Sequence, residues 1–335
     1  MYFFKILEFC LVVDNLWYNK PIKFLICLGE FKLPSWDEVN QEIANTPSAI
    51  VTVRNKYLRI MNQYTERNII AYYSAFLQKP DKKPISISDD DKNFFMQAVY
   101  GLDKSKGLDL ILHTPGGNLA ATESIVEYIK KIFCNDIRVF IPQIAMSAGT
   151  MMALSAKEII MGKHSNLGPI DPQLGGMSCA GIIEEFETAK EDIKNNPESV
   201  YLWRLIISQY PPTFLGDCKK AIVWAKEMVK LWLEDNMFAT SPNKDECVKN
   251  IVEFLSSHSE TYSHQKHIHI DKLQELGLKV TALENLDSRE IEGCKDLQDC
   301  VLTLHHAYMQ TLANSNILKI IENQFCRGMA ITSGK

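Results

Sequence analysis

A strand–turn–helix pattern between residues 108 and 161 constrains this chain more than any other feature. Leu108-Asp109-Leu110-Ile111-Leu112 is an apolar run of strand length, and Pro115-Gly116-Gly117 is a sharp turn. Residues 119–133 place Ile125, Ile129 and Ile132 along one side of a helix. Ile137-Arg138-Val139-Phe140-Ile141 is a second strand, ended by Pro142. A small-residue helix over 148–156 and a third strand, Glu158-Ile159-Ile160-Met161, complete the pattern. Strands alternating with helices over short connections predict an α/β protein with a parallel sheet covered by helices.

The flanks are more helical. Ser35 is suited to cap a helix that begins at Trp36, and the helical pattern runs on until a strand begins before Phe76. Ser88 can cap another helix, with Asp89, Asp90 and Asp91 in its first turn. That acidic run is not a metal site, because three consecutive side chains on a helix point in different directions. Beyond about residue 180 helices dominate, with Leu202 to Ile207 and Cys218 to Met237 the clearest. Residues 277–283 and 300–305 read as further strands.

Composition excludes several classes of function. The chain has 335 residues, a net charge of −5 and no basic stripe, so nucleic acid is not an expected partner. Nine cysteines without a Cys-x-x-Cys pair make neither a disulfide framework nor a zinc ribbon. They fit a reducing, cytoplasmic setting. The apolar runs within residues 1–31 are too short to span a membrane and lack the layout of a secretory signal. Residues 1–32 therefore read as an N-terminal extension, with peripheral membrane contact through 1–31 as an alternative, and 33–335 as a single domain.

Chemistry concentrates at the two glycine-bearing turns, His113-Thr114-Pro115-Gly116-Gly117-Asn118 and Ala145-Met146-Ser147-Ala148-Gly149-Thr150. Both lie where a strand ends and a helix begins, the end of an α/β sheet that carries ligands. Acyl transfer needs a nucleophile, a base and donors for an oxyanion. Ser147 at a helix N-terminus is a candidate nucleophile, and the backbone N–H groups of a glycine turn are candidate donors.

The segments LDLILHTPGG, PQIAMSAGTMMALSA and EIIMGKHSNLGPIDPQLGG resemble the Clp-protease/crotonase fold. Within it they are similar to the serine dehydrogenase proteinase family, relatives of signal-peptide peptidase A. The likeness runs from about Leu33 to the C-terminus, through LPSWDEVNQEI, YTERNIIAYYS and SHQKHIHIDKLQELGL. It implies repeated strand–strand–helix units, with extra helices in the C-terminal half. It implies a serine endopeptidase with Ser147 as nucleophile, and Gly116 or Gly117 together with Ala148 as the oxyanion hole. A peptide or protein substrate, homo-oligomerisation, and no metal or cofactor follow from the same resemblance. No Gly-x-Gly-x-x-Gly opens a helix, so the family name does not signal a dehydrogenase.

The base is open at this level. In the Clp protease subunit a histidine precedes a Gln-Pro-Leu-Gly-Gly stretch, whereas here Pro169-Ile170-Asp171-Pro172-Gln173-Leu174-Gly175-Gly176 contains none. Signal-peptide-peptidase relatives use a lysine on a helix downstream of the serine. Lys190 occupies such a place, and a Ser–Lys dyad through it is the first expectation, with Lys194, Lys219 and Lys220 as further candidates. Such a base must be desolvated to lose its proton near neutrality. His264 is the other candidate, beside His267 and His269, and imidazole suits base work. Two alternating histidines also suggest zinc, but no further ligand is indicated. His113 and Asp171 are placed to shape the site, and His305-His306 could approach it. Two other functions share these turns: a crotonase-type acyl-CoA enzyme, which needs no serine nucleophile, and a non-catalytic assembly or binding homologue.

Overall fold

The structure is a computed structural model, and it describes residues 49–257 and 263–333. All of these fall in the unit Pro34–Lys335. The readings made for Ser35 and for residues 1–32 lie outside the described residues.

A seven-stranded sheet forms the centre, in the order β11-β10-β1-β2-β3-β5-β9. Five neighbours run parallel: β1 (Asn68–Ser74), β2 (Leu108–His113), β3 (Ile137–Ile141), β5 (Glu158–Met161) and β9 (Val280–Ala282). At one edge β10 (Ile317–Asn323) joins β1 antiparallel and β11 (Gly328–Thr332) joins β10. Two short pairs stand outside this sheet: β4 (Ile144–Ala145) with β6 (Asn166–Leu167), and β7 (Gln173–Leu174) with β8 (Met177–Ser178).

Side-chain alternation explains why the strands read as continuous apolar runs. Ile70, Tyr72, Leu108, Leu110 and Leu112 enter one core, and Ile69, Ala71, Tyr73 and Ile111 enter the other. A parallel sheet buried on both faces needs apolar residues at every position. The first core is closed by α2 (Asp90–Val99), α3 (Leu119–Phe133), α4 (Ala148–Leu154), α7 (Phe214–Asp235) and α8 (Lys244–Ser256). The second is closed by α1 (Ala49–Thr65) and α10 (Leu297–Asn314). The remaining helices are α5 (Cys179–Asn195), α6 (Val200–Ile207) and α9 (Ile270–Glu275). Among the described residues no helix is long and apolar enough to cross a membrane.

The expected central elements are present, and β3-β4-α4 is one strand–strand–helix unit. One expectation is corrected. Residues 300–305 are not a strand but part of α10, which buries twelve of its eighteen residues. A helix buried on most sides carries the same short apolar run as a buried strand, so periodicity does not separate them. The strands β10 and β11 go beyond the sequence expectation, although Ile317-Leu318-Lys319-Ile320-Ile321 carries an apolar signal broken only by a lysine.

Candidate functional site

The two glycine-bearing turns lie side by side at the carboxyl ends of β2 and β4. Thr114 bridges Ala145, and Met146 N donates to Thr114 O at 3.0 Å. Asn118 caps α3 by accepting from Ala121 N at 2.9 Å, so the first turn leads straight into a helix. The second turn leads into α4 through Ser147.

Ser147 has φ 52° and ψ −117°, a conformation ordinarily left to glycine. It holds the serine on a sharp elbow between strand and helix. The neighbours show how tightly the elbow is built. A Cβ on Gly149 would stand 2.5 Å from Thr114 Cγ2 and 3.3 Å from Ala145 Cβ. A Cβ on Gly116, itself at φ +92°, would stand 2.8 Å from Ser147 Cβ and 2.9 Å from Ala148 N. Thr150 fastens the base of the elbow: its hydroxyl donates to Ala145 O at 2.9 Å and accepts from Gly168 N at 2.9 Å.

Ser147, Ala148, Gly117 and Asn118 line a cleft of about 270 Å³ with Leu119, Ala120, Met151, Pro172, Gln173, Leu174, Ala221 and Trp224. No ionisable side chain is in that lining. Gly116 N donates to Thr114 Oγ1 at 3.2 Å, whereas Gly117 N and Ala148 N donate to no acceptor among the described residues. Two backbone donors therefore remain available beside the Ser147 hydroxyl.

Asp171 is buried, and its Oδ1 lies 2.7 Å from His264 Nδ1. The next residues, Pro172 to Leu174, form one wall of the cleft. The segment carrying His264 is pinned to the same region: Leu167 and Ile268 exchange backbone hydrogen bonds at 3.0 and 2.8 Å. Leu167 belongs to β6, whose partner β4 ends just before Ser147. Asp171, read from sequence only as a residue that shapes the site, is thus the partner of His264. Chain order hides this pairing, because 93 positions separate the two residues.

Lys190 is elsewhere. It lies on α5 with its side chain 64% exposed, and its Nζ bonds Glu187 at 2.6 Å. An exposed lysine beside a carboxylate lacks the desolvation that a neutral lysine base requires. Lys194, Lys219 and Lys220 are exposed as well. His267 and His269 are exposed, and no cluster of three metal-ligating side chains occurs among the described residues. Asp91 is committed to Lys319 rather than to an acidic cluster.

His113 is buried behind the glycine turn, not in the cleft. Its ring packs against Tyr73, Phe76 and His305, and its Nε2 lies 3.1 Å from Gln143 Oε1. Burial lowers its pKa to about 4, and burial lowers that of His305 as well. Between about pH 6.5 and 4 the unfolded chain binds a proton at His113 that the folded chain does not, so stability falls as pH falls through that window. The loss from His113 alone is about 3 kcal/mol. Urea unfolding of His113→Leu should therefore show a smaller drop between pH 7 and pH 4.5 than the unaltered protein. Parallel pH profiles would sink this account.

A mostly parallel α/β sheet with a serine elbow at its carboxyl end defines a ClpP-like protein. Residues 45–291 match the model of the ClpP-like SDH-type serine proteinases, and the chain belongs to that family. Two uncharacterized proteins of Methanocaldococcus jannaschii are similar to it. MJ1495 is 34% identical over 206 residues, 62% of this chain and 62% of its own length. MJ0137 is 31% identical over 201 residues, 60% of this chain and 62% of its own length. The match thus spans a little under two thirds of each relative.

Proposed function

We propose that the protein hydrolyses peptide bonds through an acyl-enzyme on Ser147, with His264 as base and Asp171 as its orienting carboxylate. One observation carries this reading: a serine held at φ 52° on a strand–helix elbow, opening into a cleft beside two backbone N–H groups without acceptors among the described residues. Strain of this kind persists only where the surrounding structure enforces it. The Asp171–His264 bond favours histidine over Lys190 as the base. An ionised carboxylate only accepts, so Nδ1 carries the proton and Nε2 is left as the basic nitrogen.

In this reading Ser147 Oγ attacks the substrate carbonyl carbon and its proton passes to His264 Nε2. The Gly117 and Ala148 N–H groups hold the tetrahedral oxyanion. Collapse breaks the C–N bond, and the leaving amine takes the proton from His264. Water then attacks the acyl ester with His264 as base, which releases the acid and restores Ser147. Apo sites often hold these groups apart until substrate binds, so a direct Ser147–His264 bond is not required here. A fluorophosphonate adduct located on Ser147 by mass spectrometry tests the proposal, and an intact protein that takes no adduct there overturns it.

The cleft also supports a substrate class. Its walls are Leu119, Met151, Leu174, Ala221 and Trp224, without a charge to pair with one on the substrate. The residue beside the scissile bond on the acyl side should thus carry an uncharged, apolar side chain. Trp224, whose Nε1 lies 3.4 Å from Glu123 Oε1, limits the size of that side chain. Trp224→Ala should shift the kcat/KM ratio about tenfold toward large aromatic residues over small aliphatic ones. An unchanged ratio in a set of short peptide esters would remove Trp224 from specificity.

A further inference from the structure

Two residues outside the cleft lining, Lys319 on β10 and Asp91 on α2, form a fully buried ion pair. Lys319 Nζ lies 2.8 and 2.9 Å from the two carboxylate oxygens of Asp91, and both side chains are 0% exposed. Burying two charges costs several kcal/mol per ion, so such a pair stabilises a fold weakly at best. Its other hydrogen bonds indicate a different role.

Both members hold one short segment, Ile85–Ser88. Lys319 Nζ donates to Ser86 O at 2.7 Å, and Ser88 N donates to Asp91 Oδ2 at 3.1 Å. Tyr72 OH donates to the same carboxylate oxygen at 2.9 Å, and Ser74 Oγ donates to Ile85 O at 2.5 Å. The middle of the segment then grips the glycine turn. Ile87 N donates to Gly116 O at 2.8 Å, and Asn118 N donates to Ile87 O at 2.9 Å. The approach is close enough that a Cβ on Gly117 would stand 2.3 Å from Ile87 N and 2.4 Å from Ile87 O.

The Gly116 carbonyl and the Gly117 N–H belong to one peptide unit. In a trans peptide they point in opposite directions. A hydrogen bond that fixes the carbonyl toward Ile87 therefore fixes the N–H away from it. Gly117 lines the cleft together with Ser147.

We propose that the Lys319–Asp91 pair is a positioning device that aims the Gly117 N–H through the Ile85–Ser88 strap. The proposal rests on the serine-peptidase reading for its catalytic consequence, but the aiming itself is a structural property with its own readout. Fixed donors stabilise an oxyanion because they need no reorganisation during the reaction. A loosened strap lets the peptide plane rotate and removes part of that advantage.

The test uses Lys319→Met/Asp91→Asn in the full chain. The pair of changes leaves no buried charge unpaired and removes the tie to Ser86 O. Hydrogen exchange should accelerate about tenfold or more at Ile87 and Asn118, relative to amides at the centres of β2 and β3. Fluorophosphonate inactivation of Ser147 should slow about 10- to 100-fold in its maximal rate, less than loss of a whole donor, while the inhibitor's apparent affinity is unchanged. Ser74→Ala keeps the ion pair and removes one other tie to the strap, so it should move both readouts the same way by about threefold. If the double variant does not fold, this milder variant tests the strap-to-turn link on which the pair's role depends, and unchanged exchange at Ile87 and Asn118 overturns that role. Unchanged exchange at the strap and turn overturns the positioning role. Faster exchange with an unaltered inactivation rate per folded molecule overturns its link to chemistry. An unaltered protein that forms no Ser147 adduct sinks the peptidase reading instead, while the exchange data still show whether the strap holds the turn.

Discussion

Ser147→Ala is expected to lower peptide-bond hydrolysis by on the order of 10⁴–10⁶ in kcat. The change removes the atom that forms the acyl-enzyme and leaves the cleft and both backbone donors in place. Residual turnover from those donors and from substrate binding sets the floor. Ser147→Gly should lose activity to the same extent and yet gain stability. The elbow backbone at φ 52°, ψ −117° costs a serine about 1–3 kcal/mol and a glycine almost nothing. Glycine's extra freedom in the unfolded chain returns about 0.5–1 kcal/mol of that. A net gain of about 1 kcal/mol in urea unfolding is the expected result. A Ser147→Gly protein less stable than Ser147→Ala would mean that the elbow is not strained, and the observation carrying the proposed function would fail with it.

The second large effect separates the two bases. Asp171→Asn should lower kcat about 10⁴-fold, because an amide that donates to His264 leaves the ring in the wrong tautomer. His264→Ala should cost as much or more. Lys190→Ala should leave kcat within about twofold, since an exposed lysine paired one turn away on its own helix contributes little beyond a surface ion pair. Measured together on one peptide substrate, the three variants give opposite patterns for the two mechanisms. A large loss in Lys190→Ala with normal activity in His264→Ala would restore the Ser–Lys dyad. Asp171 Oδ2 has no hydrogen-bond partner among the described residues, so the unfolding midpoint of Asp171→Asn is measured beside its kcat.

Local chemistry made the central part of the fold and half of the site legible. Apolar runs at 108–112, 137–141 and 158–161 are strands because a sheet covered on both faces has no polar side to betray it. Gly116-Gly117 and Ser147-Ala148-Gly149 are motifs legible in consecutive residues, although the atoms that exclude a side chain there belong to other segments: Ser147 and Ile87 against the first turn, Thr114 against the second. The crowding of Gly116 against Ser147 Cβ and Ala148 N then shows the two turns meeting at one place. Strand β10, by contrast, lies over 200 residues from its neighbour β1, and no local pattern announces that pairing.

The remainder of the site depends on burial and on distant partners, and neither quantity is local. Lys190 has a sequence position suited to a lysine base, but helix α5 turns it to solvent beside Glu187, outside the cleft lining. His264 gains its significance from Asp171, and the two meet only because β6 holds Ile268 in a backbone bridge beside β4. Likewise Trp224 and Ala221 reach the cleft because α7 packs across α4 and α5. Sequence by itself therefore determined the candidate nucleophile and the candidate oxyanion turn, features written in consecutive residues. Tertiary structure alone decided which candidate base is joined to a buried carboxylate, the walls of the cleft and the buried pair behind the turn. Each of those depends on which groups are taken out of water together, and that is settled only when the chain closes on itself.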